Sequence, residues 1–235
     1  MRLPTTDPKD RSSIDDVMAT RMVRYAIDHG VNYIDTAYPY HNGESERFVG
    51  RVLQDGYREK VNLATKLPMW AIEAEGDAER ILNEQLEKLQ TDHIDFYLFH
   101  GLRKARWETV QKFDLLKWAA GVLADGRIRH LGFSFHDNFD AFKMIIDAHD
   151  GWDFCQIQHN YIDINNQAGT KGLQYAASKG LGVVVMEPLL GGRLVEPPQP
   201  VQDLWDSAPT VQTPVERAMR WLWDQPEVSV VLSGM

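Results

Sequence analysis

Short apolar runs alternate with amphipathic stretches along the whole chain. The step is about 30 residues, the length of one strand-helix-strand unit. Runs at 31–35, 61–65, 94–99, 128–133, 154–158, 182–186 and 228–232 read as strands. Between them apolar residues recur at helical spacing: Ile14, Val17, Met18, Met22 and Tyr25, then Phe48, Val49, Val52 and Leu53, then Ile81, Leu82, Leu86 and Leu89. Further helices are expected over 107–123, from Asn138 through Ile146, and over 168–178. Ser13 and Asp16 have capping-box spacing, and Thr213-Pro214-Val215-Glu216 combines a threonine cap, a proline at the first helical position and a closing glutamate. The Pro-rich stretch 187–212 reads as a loop. Alternating strands and helices imply a parallel sheet with helical cover. The number of units favours an α/β fold of the (β/α)8 TIM-barrel kind over an open sheet. Seven strands are one short of eight, and no helix follows residue 232. The expectation is therefore a single barrel domain over 1–235, incomplete at both ends, its first strand and last helix missing.

Composition narrows the function. Hydrophobic residues make up 43% of the chain, enough for a sizeable core, and the net charge of −9 argues against a general nucleic-acid binder. No apolar run approaches the roughly 20 residues that span a membrane. The opening stretch Met1 to Thr6, which moves straight into polar residues, is not expected to be a signal peptide, and the one cysteine, Cys155, cannot form an internal disulfide. These features suit a cytoplasmic protein with a small-molecule substrate.

In α/β barrels the chemistry sits at the C-terminal ends of the strands. Asp35 ends one apolar run, Lys66 follows it by 31 residues and His100 follows Lys66 by 34. Successive parallel strands place these three on one rim, and Tyr40 leans over it from the loop after Asp35. Ser134, Gln156 and Met186 fall at the ends of later strands. An isolated carboxylate at a buried strand end is costly, so Asp35 needs a partner, which Lys66 supplies. Tyrosine has an ordinary pKa near 10, too high for a good acid at neutral pH, and a nearby ammonium lowers it by stabilising the phenolate. Tyr40 with Lys66, Asp35 and His100 thus suits the protonation of a carbonyl oxygen while a hydride arrives. None of the four donates hydride, so the chemistry calls for a nicotinamide cofactor.

Each residue alone has a plainer reading. Asp35 and Lys66 form structural ion pairs in many proteins, Tyr40 is a loop aromatic, and His100 is a satisfied core histidine. Two other functions fit parts of the pattern. A metal-dependent barrel hydrolase could draw on His41, His100, His136 and His159, but no His-x-His pair closes an early strand and Lys66 would repel a cation. A non-catalytic barrel that holds a nicotinamide nucleotide as a sensor would not need the complete set of four.

The same residues resemble the aldo-keto reductase family. Val31-Asn32-Tyr33-Ile34-Asp35-Thr36-Ala37 with Tyr40, Asn42-Gly43, Ser45-Glu46 and Gly50 is similar to the family's entry motif. Ala64-Thr65-Lys66-Leu67, Phe96-Tyr97-Leu98-Phe99-His100 and the stretch from Gly126 to Ser134 are similar to three further segments, in the same order. The resemblance implies a (β/α)8 barrel, NADP(H) in preference to NAD(H), and reduction of an aldehyde or ketone to an alcohol. It assigns Tyr40 as proton donor beside Asp35, Lys66 and His100.

For the cofactor, the resemblance implies that Ser134 and Gln156 hydrogen-bond the nicotinamide carboxamide and that Met186 lies under the ring. Leu189-Leu190-Gly191-Gly192-Arg193 resembles the loop that crosses the pyrophosphate, where bare glycine backbone approaches phosphate closely. Ser233-Gly234-Met235 resembles the start of the segment that holds the adenosine 2′-phosphate. Two features depart from the family pattern. Phe135 and His136 follow Ser134 where an asparagine is frequent, and the basic residues that complete the 2′-phosphate grip do not follow Met235. The wording around Phe133 and Met186 resembles a subgroup that often carries an iron-sulfur appendage, but Cys155 alone cannot ligate a cluster that needs four thiolates. No metal is expected within these residues. Substrate choice falls to the segments 70–76, 101–107 and 187–212, with Trp70 a candidate pocket wall and Arg103, Lys104 and Arg106 either an anion-attracting group or a solvated helix lead-in.

Overall fold

The computed structural model describes residues 2–233. Its elements run α1 (Asp16–Asp28), β1 (Tyr33–Asp35), α2 (Ser45–Val52), β2 (Asn62–Leu67), α3 (Asp77–Leu89), β3 (Ile94–Leu102), α4 (Lys104–Lys112), α5 (Leu115–Ala124), β4 (Ile128–Phe135), α6 (Phe139–Asp147), β5 (Phe154–Gln158), α7 (Gly169–Ser178), β6 (Gly182–Met186), α8 (Gln199–Asp206), α9 (Pro214–Trp223) and β7 (Val230–Val231). The seven strands form one sheet in chain order, and every neighbouring pair is parallel. Among the described residues no pairing joins β7 to β1. A complete eight-stranded barrel is therefore not what these residues build; they make a seven-stranded α/β sheet with the strand order of one.

Several helix limits differ from the sequence expectation. Asp15, not Ser13, caps α1, its carboxylate accepting the Met18 N–H at 3.0 Å. The stretch read as one helix over 107–123 is two, because Asp114 takes a left-handed conformation (φ 47°), which aspartate tolerates better than most residues. The Pro-rich segment holds α8, which Pro198 introduces. Asn138 and the Thr213–Glu216 box cap α6 and α9 as expected. Among the described residues no helix is long and apolar enough to cross a membrane.

Two apolar layers follow from the alternation of side chains along each strand. The outer layer lies between sheet and helices and includes Leu63, Leu67, Phe99, Phe133, Phe135, Ile157 and Val183, packed on helix residues such as Val23, Phe48, Leu82 and Phe142. The inner layer is Ala64, Leu98, Phe154 and Val184, with Tyr33, Phe96, Val230 and Leu232 against them. Gly132 has to be glycine because a Cβ there would sit 2.5 Å from the Phe154 ring. Gly50 lets α2 approach the end of α3, where a Cβ would come 2.3 Å from the Lys88 carbonyl oxygen.

Candidate active site

Strand register alone brings the expected residues to one face. Asp35 pairs with Ala64, two residues before Lys66; Lys66 pairs with Leu98, two before His100. Ser134 pairs with Gln156, and Gln156 with Val184, two before Met186. Residues two apart on a strand share a face, so all six project to the inner side, above the Ala64–Leu98–Phe154–Val184 layer. Lys66, His100 and Ser134 lie within their strands rather than after them, because β2, β3 and β4 each continue beyond the apolar run.

The Lys66 ammonium is fully buried and makes three short contacts, to Asp35 Oδ1 (2.8 Å), Asp35 Oδ2 (2.7 Å) and the Thr36 carbonyl oxygen (2.7 Å). Burial alone would push its pKa down. The charge of Asp35, the Tyr40 phenol and hydrogen bonds to both outweigh burial, and the ammonium is held above its ordinary value. Its nitrogen lies 5.1 Å from the centre of the Tyr40 ring. Tyr40 opens a short 3-10 turn in which His41 and Asn42 both adopt left-handed φ. His41 fixes that turn: its Nε2 accepts the Leu3 N–H at 3.0 Å, and its Nδ1 lies 2.7 Å from the Arg11 carbonyl oxygen. His41 thereby anchors the loop that presents Tyr40.

His100 sits beside this pair, its ring 6.3 Å from that of Tyr40 and edge-on to it, and 5.0 Å from that of Trp70. Burial first, then the positive charge of Lys66, His136 and Arg106, push its pKa down to about 3, so it is neutral at physiological pH. Its Nδ1 is buried with no hydrogen-bond partner.

A second polar network backs the first. Fully buried Glu46 accepts from Thr65 Oγ1 (2.6 Å) and Gln85 Nε2 (2.7 Å), Gln85 also donates to the Lys66 carbonyl (3.0 Å), and Tyr97 donates to Gln85 (2.7 Å). Burial raises the Glu46 pKa, against these donors and Lys88. In sequence Gln85, Thr36 and Tyr97 carry no role of their own, because the partner of each lies on another element.

The remaining expected residues divide. Ser134 Oγ accepts the Gly101 N–H at 2.7 Å, which leaves its own proton to donate. Gln156 Nε2 contacts Met186 Sδ at 3.5 Å, while Gln156 Oε1 is buried without a partner. This donor and orphaned acceptor, side by side and next to the Met186 thioether, fit the amide of a nicotinamide. Phe135, where the family pattern frequently has asparagine, points to the outer layer and packs on Phe142 at 4.9 Å. Leu190, Gly191 and Gly192 all have positive φ, so their turn needs glycine at two of three positions. The N–H groups of Gly192 and Arg193 are engaged inside that turn, on the carbonyls of Leu189 and Leu190. Arg193 is exposed, and Arg2, which the sequence does not single out, places Nη2 3.8 Å from where a Gly191 Cβ would be. Ser233 is exposed, and Gly234 lies outside the described residues. Among the described residues no group of three or more His, Cys, Asp or Glu side chains could hold a metal ion.

Known proteins resemble this chain in sequence and in fold. The model of the Aldo/keto reductase family matches residues 5–235. The uncharacterized oxidoreductase YrpG of Bacillus subtilis (strain 168) is 30% identical over 203 residues, a match that covers 77% of this chain and 60% of that protein. The chain thus spans about three-fifths of that relative's length. Among solved structures, aldo-keto reductase AKR11C1 from Bacillus halodurans in its holo form superposes with a TM-score of 0.73 at 25% identity, covering 92% of this chain and 76% of that one. An aldo/keto reductase from Klebsiella pneumoniae in complex with NADP and acetate shares the fold, with a TM-score of 0.69 at 23% identity over 92% of this chain and 74% of that one. With the family model matched from residue 5 to residue 235 and the Tyr40, Lys66, Asp35 and His100 side chains gathered on one rim, the chain belongs to the aldo/keto reductase family.

Proposed function

We propose that this rim reduces the carbonyl group of an aldehyde or ketone to an alcohol, using NADPH. The observation that carries the reading is the Lys66 ammonium, gripped by Asp35 and Thr36 and lying 5.1 Å from the Tyr40 ring. Bound NADPH supplies the hydride. Tyr40 gives its hydroxyl proton to the carbonyl oxygen as the carbon gains that hydride, and the Lys66 ammonium stabilises the negative charge left on the phenol oxygen. Asp35 keeps Lys66 charged and fixed in place. His100, uncharged, offers a ring N–H that orients the carbonyl oxygen without competing for the proton. Ser134 and Gln156 would hold the carboxamide through the hydroxyl proton and the orphaned Oε1. Met186 would offer the ring a soft apolar surface. Arg193 and Arg2, at the glycine turn, supply positive charge for the phosphates. NADP in the Klebsiella pneumoniae relative supports this choice of nucleotide.

Transfer of label tests the reaction. NADPH carrying deuterium at both positions of the reactive carbon of its nicotinamide is incubated with the protein and a reactive aldehyde. Deuterium on the former carbonyl carbon of the alcohol is the expected result; alcohol without deuterium, or no alcohol, rejects the reading.

A further inference from the structure

We propose that the carbonyl substrate carries a carboxylate, and that Arg106 binds it at the mouth of the site. The inference rests on the reductase reading above and names the substrate class of that same site. Arg106 lies on the first turn of α4, directly after the strand that presents His100. Its Nη1 donates to the carbonyl oxygens of Gly101 (2.8 Å) and His100 (3.3 Å), so the head group is tied back onto the strand end. Its guanidinium carbon lies 5.3 Å from the centre of the Trp70 ring, and Trp70 lies 5.0 Å from the His100 ring. Tyr40, His100, Trp70 and Arg106 therefore run in contact from the reacting centre outward.

Arg106 is only partly exposed, yet among the described residues no carboxylate pairs with it. Burial and the charge of Arg103 depress its pKa, and no acid offsets them. Neighbouring acids are otherwise engaged: Asp35 with Lys66, and Asp137 with the backbone N–H groups of Lys104 and Asn138. In a chain of net charge −9, an unpaired, partly desolvated arginine one ring away from the catalytic histidine is costly unless a ligand answers it. Nη2 and Nε have no partner among the described residues. With Nη1 tied to the backbone and the head group beside the Trp70 ring, the Nη2–Nε edge is the fork that matches a planar carboxylate through two parallel hydrogen bonds. Gly101 belongs to the arrangement: its positive φ turns the chain toward Arg106, and a Cβ there would meet Arg106 Nη1 at 2.6 Å. Arg103, exposed on the same approach, adds to the attraction without touching the fork.

The test compares para-carboxybenzaldehyde with its uncharged methyl ester as substrates, read as the ratio of their kcat/KM values. The wild-type ratio is expected to favour the acid by about tenfold or more, the worth of one charge-assisted bidentate pair. Arg106→Gln is expected to cut that ratio about tenfold, and Arg106→Lys, which keeps the charge but loses the fork, by less. A wild-type ratio at or below one overturns the proposal whatever the variants do, as does a ratio that Arg106→Gln leaves unchanged. Reduction of the ester with no preference for the acid leaves the reductase reading standing and removes this one. Should neither aldehyde be reduced, the reductase reading fails by itself. Calorimetric titration of the wild-type protein with para-carboxybenzyl alcohol and its methyl ester in the presence of NADP then decides the anion site: tighter binding of the acid upholds it, and equal or weaker binding rejects it.

Discussion

The two halves of the rim differ in what their central side chains, Lys66 and Gln156, find to bond within the protein. On β1 and β2, Lys66 has two carboxylate oxygens and a carbonyl within 2.8 Å, and Glu46, Thr65 and Gln85 support it from behind. On β4 to β6, Ser134 keeps a proton to give and Gln156 Oε1 is buried with nothing to accept. Buried polar atoms are rarely left unpaired. The Tyr33 hydroxyl and Glu46 Oε2 in the first half are orphaned as well. Gln156 Oε1, however, is orphaned on the rim itself, beside a hydroxyl that still has a proton to give, the pairing an amide ligand requires. The first half reads as preorganised machinery, whose geometry the protein sets for itself, and the second as a socket that a nucleotide completes. His100 lies at the seam, with a neutral ring and a free Nδ1.

The largest expected effect comes from breaking the Lys66–Asp35 pair. Lys66→Met leaves the Asp35 carboxylate without its cation, and breaking a mostly buried pair costs on the order of 3 kcal/mol. Denaturant unfolding measures it as a lower midpoint at an unchanged slope, with reductase activity lost as well. A loss below about 1 kcal/mol, the range of surface pairs, would show that the two halves do not differ in this way.

Gln156→Leu probes the socket and should do the opposite. It removes an orphaned acceptor, so stability is unchanged or slightly higher. NADPH affinity should fall about tenfold, the value of one good hydrogen bond, as measured by fluorescence titration. A clear loss of stability with no change in nucleotide affinity would make Gln156 a structural residue.

The seam has a pH signature. The unfolded chain takes up a proton on His100 near pH 6.5, whereas the folded state resists until about pH 3. Between those values the unfolded state binds more protons, so stability falls as pH falls, by no more than about 1.4 kcal/mol per pH unit from this group. His100→Gln should remove that component. A wild-type and variant difference that stays constant from pH 6.5 down to 3 contradicts a neutral, buried His100.

The sequence carries the one-face arrangement well, and for a physical reason. Asp35, Lys66, His100, Ser134, Gln156 and Met186 each fall on a successive strand of an alternating pattern, and parallel pairing turns that order into position on a rim. The extensions of β2 and β3 are harder to read, because Lys66 and His100 end the apolar signal while the hydrogen-bonded ladder runs on past them. The break at Asp114 depends on one backbone torsion that the apolar spacing of 107–123 does not report. The helix Gln199–Asp206 hides among prolines, since proline is tolerated at a helix start. Arg106 is the clearest case: in sequence it is one of three basic residues after His100. Only the turn at Gly101, which folds it back onto two carbonyls and Trp70, separates it from Arg103 and Lys104.

The division of the rim is tested most directly by Tyr40→Phe, with nucleotide binding and aldehyde reduction measured on the same preparation. Removing one hydroxyl from the machinery is expected to lower turnover by about 100- to 10,000-fold, the range for a general acid. NADPH affinity should stay within about threefold, less than the loss of one hydrogen bond. Turnover that survives the substitution, or nucleotide binding that disappears with it, would contradict the account.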